Sequence, residues 1–345
     1  MQYIDFCESG EAEQLYLASG NVPNIAKNQI LIKVHAAGVN RPDVLQRMGL
    51  YAPPAEASKI LGLEASGEVA AMGEGVKGWS IGDRVCALCN GGAYAEYVSV
   101  PKGQCLPIPD NLSFIEAAGL PETFFTVWSN LFQCAGLKAG ESLLVHGGSS
   151  GVGVTAIQFG KAFGADVYAT TRTEEKCLAC KDLGADVTIN VCEKDFVDEV
   201  MIATGKKGVD VILDMVGGEY IQKNIDCAAL DARIISIAFL KGPKTEVNFM
   251  QMMLKRLTLT GSTLRPKSTE IKALIAVELR QFIWPLLISG QIRPYIDRVY
   301  NLSDAADAHR HMESNQHFGK IISVSYTHLR AHETRGNLVC RLLLE

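Results

Sequence analysis

No stretch of eighteen consecutive apolar residues occurs anywhere in the chain, and the opening segment MQYIDFCESGEAEQ has no basic cluster followed by an apolar core. The first absence speaks against a membrane-spanning helix and the second against a secretory leader, so a cytoplasmic protein is expected. Basic excess is missing too: 33 Lys and Arg face 38 Asp and Glu, for a net charge of −5. A protein whose main task is to grip nucleic acid or an anionic membrane carries the opposite balance. Neither is an expected partner.

Cysteine is present but not organised. Ten cysteines scattered over 345 residues do not make the dense framework of a small secreted domain, so reduced thiols are expected. Of two CxxC pairs, Cys177 with Cys180 lies in the helical pattern EEKCLACKDLG and reads as core packing. Cys86 with Cys89 has the spacing of half a zinc site, but no second CxxC or histidine pair follows at ligand spacing. His35, His146, His309, His311 and His317 form no dyad or metal spacing and read as structural. No metal is expected.

What the chain does have is hydrophobic residues at 48 % of 345 positions, enough for two cores. Roughly the first 120 residues alternate short strands with Gly- or Pro-bounded turns (QILIKVHAAG, SGEVAAMG, DRVCAL, YAEYVSVP) and predict a β-barrel. Beyond Thr123 the texture changes to helix alternating with strand: LLVHGG, DVYATT, DVTIN, VDVILDM, RIISIAF. That alternation predicts an α/β domain with a doubly wound parallel sheet. LTLTGSTL closes this half, and one long helix over residues 268–289 is expected to lead back to the barrel. The nucleotide-type domain, residues 123–265, is thus expected as an insertion between residues 1–122 and 266–324 of the other. Residues 325–345, SYTHLRAHETRGNLVCRLLLE, look like translated sequencing-adapter or vector sequence, so the four-residue spacing of His328 and His332 carries no weight.

The most informative stretch is residues 140–161, GESLLVHGGSSGVGVTAIQFGK. A buried parallel strand (Leu143, Leu144, Val145) runs into a glycine-rich turn, Gly148-Ser149-Ser150-Gly151-Val152-Gly153, and then a helix with Val154, Ile157 and Ala162 on one stripe. Strand, glycine turn and helix in that order form a dinucleotide pyrophosphate site: the turn lets backbone approach phosphate, and the helix offers unpaired amides and the positive end of its dipole. About 20 residues past the turn, where a carboxylate would hold the 2′-hydroxyl of NAD, the chain has Thr171 and Arg172, with Lys176 one helical turn on. Hydroxyl and cations there favour the 2′-phosphate of NADPH. The alternative is that Arg172 and Lys176 are solvated charges balanced by Glu174 and Glu175. Asp214 to Gly218 brings another strand end to the crevice, with Gly217 either beside cofactor or merely in a turn.

These motifs, with NRPDVLQRMGLY from Asn40, LGLEASGEV from Leu61, IGDRV from Ile81, AAGLPETFFTVW from Ala117 and GKI from Gly319, resemble the zinc-independent quinone oxidoreductases. These form the zeta-crystallin-like branch of the medium-chain dehydrogenase/reductase superfamily, and the resemblance covers residues 1–324. It implies a GroES-like catalytic domain, a Rossmann NADPH domain, a homodimer, plausibly through LTLTGSTL, and hydride transfer to a quinone. Ser150 departs from it, standing at the middle glycine of GxGxxG. The zinc alcohol dehydrogenases of the same fold have a Cys where this chain has Asn40 and a His where it has Leu63. Leucine cannot bind metal, so the acceptor must be electrophilic without a Lewis acid. By resemblance, Asn40 and Tyr51 line the substrate side of the nicotinamide as hydrogen-bond donors, Tyr51 as a possible proton donor, and Thr126 lies near the carboxamide. Read alone, Asn40 is a turn residue before Pro42, Tyr51 a loop aromatic and Thr126 a helical back-bonder. Two other functions fit the resemblance: reduction of an enone or 2-alkenal at the same site, and, in a different class, an NADPH-binding structural or RNA-binding crystallin-like protein.

Overall fold

The computed structural model describes residues 1–325, so the expected foreign tail, His328 and His332 included, lies outside the described residues apart from Ser325. Leu143, Leu144 and Val145 are fully buried in the strand Ser142–His146, at the middle of a six-stranded sheet in which every pairing is parallel. Its strands, in spatial order, are Val187–Asn190, Asp166–Thr171, Ser142–His146, Val209–Asp214, Ala228–Ser236 and Thr258–Gly261. Numbered along the chain this is 3-2-1-4-5-6, the doubly wound arrangement, with its switch point between Ser142–His146 and Val209–Asp214. Burial on both faces explains why the central strands Ser142–His146 and Val209–Asp214 are continuous apolar runs rather than alternating ones.

The second sheet has seven strands and is mostly antiparallel. Gln29–Val39, Glu64–Met72, Arg84–Leu88, Tyr97–Pro101 and Cys105–Pro107 come from the first part of the chain, and Ile296–Asn301 and Lys320–Val324 from its end. Two helical features differ from the sequence expectation. The predicted helix over residues 268–289 is two helices, Thr269–Phe282 and Trp284–Ile288, because Pro285 in the first turn of the second lacks the N–H and crowds the carbonyl that a continuous helix would need. The predicted turn at Asn40 is instead the cap of a helix, Arg41–Arg47, whose Pro42 sits where proline is tolerated.

The two sheets share a hydrophobic core cluster and are joined by a backbone bridge at the glycine turn. Gly319 donates its N–H to the Ser149 carbonyl at 2.9 Å, so the last strand is clipped onto the glycine turn. A Cβ on Gly151 would come within 2.6 Å of Lys320 Cδ, which is how closely the lysine stem lies against the helix start. Among the described residues no helix is long and apolar enough to cross a membrane.

Candidate active site

The glycine turn has a different reason for glycine at each position. Gly147, which the sequence pattern does not single out, is the one with positive φ (+68°). At Gly153 a Cβ would meet the Gly147 carbonyl oxygen at 2.2 Å, a backbone contact that nothing can relieve. Ser150 caps the helix Gly151–Ala162: its hydroxyl accepts from Gly153 N at 3.0 Å and donates to the Gly147 carbonyl at 2.8 Å. The side chain that departs from GxGxxG is thus accommodated with its hydroxyl turned inward and spent, rather than facing a phosphate. The amides of Ser149 and Val152 make no hydrogen bond among the described residues, leaving donors at the positive end of the helix for an anion.

At the adenosine end, Thr171 is buried, with its hydroxyl 3.1 Å from the Thr173 carbonyl and 3.0 Å from Cys177 Sγ. It therefore offers no hydroxyl to a 2′-phosphate, contrary to the sequence expectation. Arg172 and Lys176 do converge, on the loop after helix Ala305–Ser314: Arg172 Nη2 donates to Asn315 O at 3.3 Å, and Lys176 Nζ to Asn315 O and His317 O at 2.8 and 2.9 Å. Arg41 joins them, donating to Met312 O and Asn315 Oδ1 at 2.8 and 2.7 Å. Burial and the charge of Arg172 lower the basicity of Lys176, and burial, Lys176 and Arg41 push His317 down to about 4. None of the three forms an ion pair among the described residues, although Glu313 acts on Arg41 and Asp297 and Glu175 on Lys176, and the buried His317 Nδ1 has no partner. Arg41 was not legible as a member because it is 131 residues away from Arg172 along the chain.

Asn40 sits in a wall built on a buried ion pair. Lys320 Nζ donates to Glu64 Oε1 at 2.5 Å and to Asn40 Oδ1 at 2.6 Å. Asn40 Nδ2 in turn donates to Glu64 Oε1 at 2.9 Å and Gly38 O at 3.3 Å. Glu64 Oε2 takes the Glu122 N–H at 2.8 Å. All three side chains are buried, and both ends of the Asn40 amide are engaged within the protein, so Asn40 is placed in the wall rather than presenting free donors. Gly38 must be glycine here, because a Cβ would fall 2.0 Å from Glu64 Oε1. Asp43 anchors the same helix: its carboxyl accepts from Asn40 N and Gly62 N, both at 2.9 Å, and burial pushes it up to about 6.

Three groups near this wall are not spent. The Tyr51 hydroxyl, the Thr126 hydroxyl and the Glu122 carboxyl make no hydrogen bond among the described residues, and all three residues are half-buried. Tyr51 lies with its ring 5.5 Å from the Arg265 guanidinium carbon, while burial raises its hydroxyl above the usual range. Thr126 does not back-bond. Thr123, one turn earlier, does, to Gly119 O and Leu120 O. Glu122 was missed in the sequence.

Leu63, at the metal-ligand position of the zinc enzymes, is 2 % exposed. Cys86 and Cys89 are buried, which pushes both thiols up. Among the described residues no three His, Cys, Asp or Glu side chains gather as a metal ion would need. Behind the nucleotide crevice, His146 Nε2 lies 2.7 Å from Asn224 Oδ1, and Asn224 Nδ2 donates to Asp214 Oδ2 at 3.1 Å. Asp214 Oδ1 accepts from Val216 N and Gly217 N, which fixes the turn at Gly217, where φ is +67° and a Cβ would strike Phe239.

Comparison with known proteins agrees with this architecture. A model described as alcohol dehydrogenase GroES-like domain matches residues 26–110, and one described as zinc-binding dehydrogenase matches residues 151–278. Fold and site thus define an oxidoreductase of the medium-chain dehydrogenase/reductase superfamily. Quinone oxidoreductase of Rattus norvegicus is 33 % identical over 328 residues, covering 93 % of this chain and 97 % of the relative. The structure of Escherichia coli quinone oxidoreductase complexed with NADPH superimposes with a TM-score of 0.84 at 30 % identity, covering 94 % of this chain and all of that one. CurK enoyl reductase gives a TM-score of 0.83 at 26 % identity, over 94 % of this chain and 98 % of the other. The chain belongs to the quinone oxidoreductase family.

Proposed function

We propose that this enzyme is a zinc-independent, NADPH-dependent reductase that passes hydride to a quinone. The observation that carries the reading is the pairing of two features across one cleft. Arg41, Arg172 and Lys176 converge, none of them in an ion pair among the described residues, where an adenosine 2′-substituent would lie, and Asn40 and Leu63 stand where the zinc enzymes have ligands. The unpaired amides of Ser149 and Val152 fit the pyrophosphate. NADPH, when bound, supplies the hydride and both electrons. The protein orients the acceptor and excludes water from the cleft, with Tyr51 and Thr126 as the unspent hydroxyls available to the acceptor and the carboxamide. The roles of Asn40 and Lys320 are to hold that wall.

NADPH oxidation with 1,4-benzoquinone and with an enone, side by side and with chelator, tests the reading. Quinone turnover that survives chelation and prefers NADPH over NADH is expected. Loss of turnover on chelation, or a preference for NADH, refutes it. Enone reduction is the second reading, favoured by the likeness to an enoyl reductase. A structural or RNA-binding use is disfavoured by the net charge of −5.

The same reading divides the chain into a catalytic domain of residues 1–122 and 266–324 and a nucleotide domain of residues 123–265. It also makes the protein a cytoplasmic homodimer. Thr258–Gly261 is the open edge of the parallel sheet, and the adjoining helix Phe249–Leu254 has no buried residue, with Phe249 and Met253 each 65 % exposed. An apolar edge of this kind needs a cover, and a second copy supplies one. Light scattering after size exclusion reads this directly, and a monomer at micromolar concentration refutes it.

A further inference from the structure

We infer that Glu122 is the proton source of the reaction, a rôle that rests on the quinone reading above. Two-electron reduction of a quinone consumes one hydride and one proton. The hydride brings both electrons, the Glu122 carboxyl gives its proton to the quinone oxygen that gains charge, and the resulting carboxylate is reprotonated from water. Quinone plus hydride plus proton gives hydroquinone, and no further oxidant or reductant is needed.

The geometry carries this through which groups of the buried Lys320–Asn40–Glu64 wall are already bonded. Lys320, Asn40 and Glu64 have committed their atoms to one another, so none of them can deliver a proton without breaking the buried ion pair. Glu122 is tied down only through its backbone N–H, which Glu64 accepts, while its carboxyl has no hydrogen bond or ion pair among the described residues. In the helix Pro121–Val127 the residues Pro121, Thr123, Phe124, Phe125 and Val127 are buried. Glu122 and Thr126 are therefore its open face, four residues apart and one above the other, next to Tyr51.

The charged and titratable groups around the carboxyl are Glu64, Asp43, Lys320, Lys272, Arg265 and Tyr51. The thiol of Cys89 is also in range. Burial and the neighbouring Glu64 carboxylate push Glu122 up to about 8, against the opposing pull of Lys320 and Lys272. A carboxyl held neutral at pH 7 beside an acceptor is what a general acid requires. Tyr51, raised further by burial, is the more reluctant donor and suits a hydrogen bond to the acceptor instead.

The test uses the full chain with Glu122→Gln and Glu122→Asp. Infrared spectroscopy of the NADPH-free protein reads the carboxyl itself: a neutral carboxyl band that fades near pH 8 in the parent and is missing in Glu122→Gln is expected. With benzoquinone, the parent kcat falls above pH 8. Glu122→Gln lowers kcat by about 100-fold and removes that limb, Glu122→Asp restores part of the rate, and NADPH affinity by fluorescence stays within about twofold. No band near pH 8, or a Glu122→Gln variant with unchanged kcat and the same alkaline limb, overturns the inference while leaving the quinone reading standing. A parent enzyme that oxidises NADPH with no quinone overturns both.

Discussion

Replacing Lys320 by methionine removes the one cation that, among the described residues, pairs with Glu64, a carboxyl with no solvent exposure. Methionine keeps most of the stem against Gly151, so packing at the sheet crossing changes little and the perturbation is electrostatic. Glu64 retains two donors, Asn40 Nδ2 at 2.9 Å and Glu122 N at 2.8 Å, which offset part of the loss. Stranding a buried charge in this way costs about 3–5 kcal/mol. The two retained bonds put the expectation at the lower end, about 3 kcal/mol. Urea unfolding at pH 7, followed by circular dichroism, measures it. The double variant Glu64→Gln/Lys320→Met removes the stranded charge, and about 2 kcal/mol of recovery is expected, since the partners are in contact and non-additive. A single-variant loss below about 1 kcal/mol, or no recovery in the double variant, refutes the claim that the pair is a buried, mutually dependent unit.

Within the glycine turn, Ser150→Ala should lose about 1 kcal/mol as a helix cap while leaving NADPH affinity nearly intact; Gly153→Ala should abolish binding because its Cβ meets backbone at 2.2 Å. Isothermal titration and thermal melts separate the two, and a Ser150→Ala variant that loses affinity without stability returns the hydroxyl to the phosphates. Truncating Arg41, Arg172 or Lys176 to alanine should weaken NADPH by roughly tenfold or more each and leave NADH unchanged; equal losses for both cofactors would remove these cations from the 2′-site. Glu122 makes the fold pH-dependent with a definite sign. Its folded-state value, raised from 4.5 to about 8, means that the folded form binds more protons than the unfolded between those limits, so stability falls as pH rises through that window. Glu122→Gln should therefore melt higher than the parent at pH 8, by on the order of 2 kcal/mol after allowance for solvent screening. The gain should vanish near pH 4, and a pH-independent difference would show that folding leaves the carboxyl's proton affinity unchanged.

The parallel sheet was legible because its signal is local. LLVHGG, DVYATT, DVTIN, VDVILDM and RIISIAF are short apolar runs bounded by turns, and each became a strand of that sheet. The glycine turn was legible for the same reason, although the positive φ falls at Gly147 rather than at the three glycines the pattern picks out. What failed were boundaries set by one residue. Pro285 splits a helix whose apolar periodicity continues on both sides, and Asn40, which read alone is a turn residue before Pro42, caps a helix. Proline is permitted in a first turn because the amide it lacks has no partner there in any case.

The site residues separate along a different line. Residue type told where a hydroxyl or amide existed but not whether it was already committed, and commitment is decided by how the folded chain turns each group, onto a near neighbour for Thr171 and Ser150 and onto distant residues for Asn40. Thr171 is occupied by Cys177, Ser150 by Gly147 and Gly153, and Asn40 by Glu64 and Lys320, which are 24 and 280 residues distant. The converse case is Glu122, which reads in sequence as an ordinary first-turn acid at a helix start. It matters because the cations in range, Lys320 and Lys272, are bonded elsewhere, Lys320 to Glu64 and Asn40 and Lys272 to Asn90 and the Arg265 carbonyl. The buried pair thus acts twice: it fixes the wall, and by absorbing the lysine it leaves one carboxyl beside the cleft uncompensated and able to keep its proton.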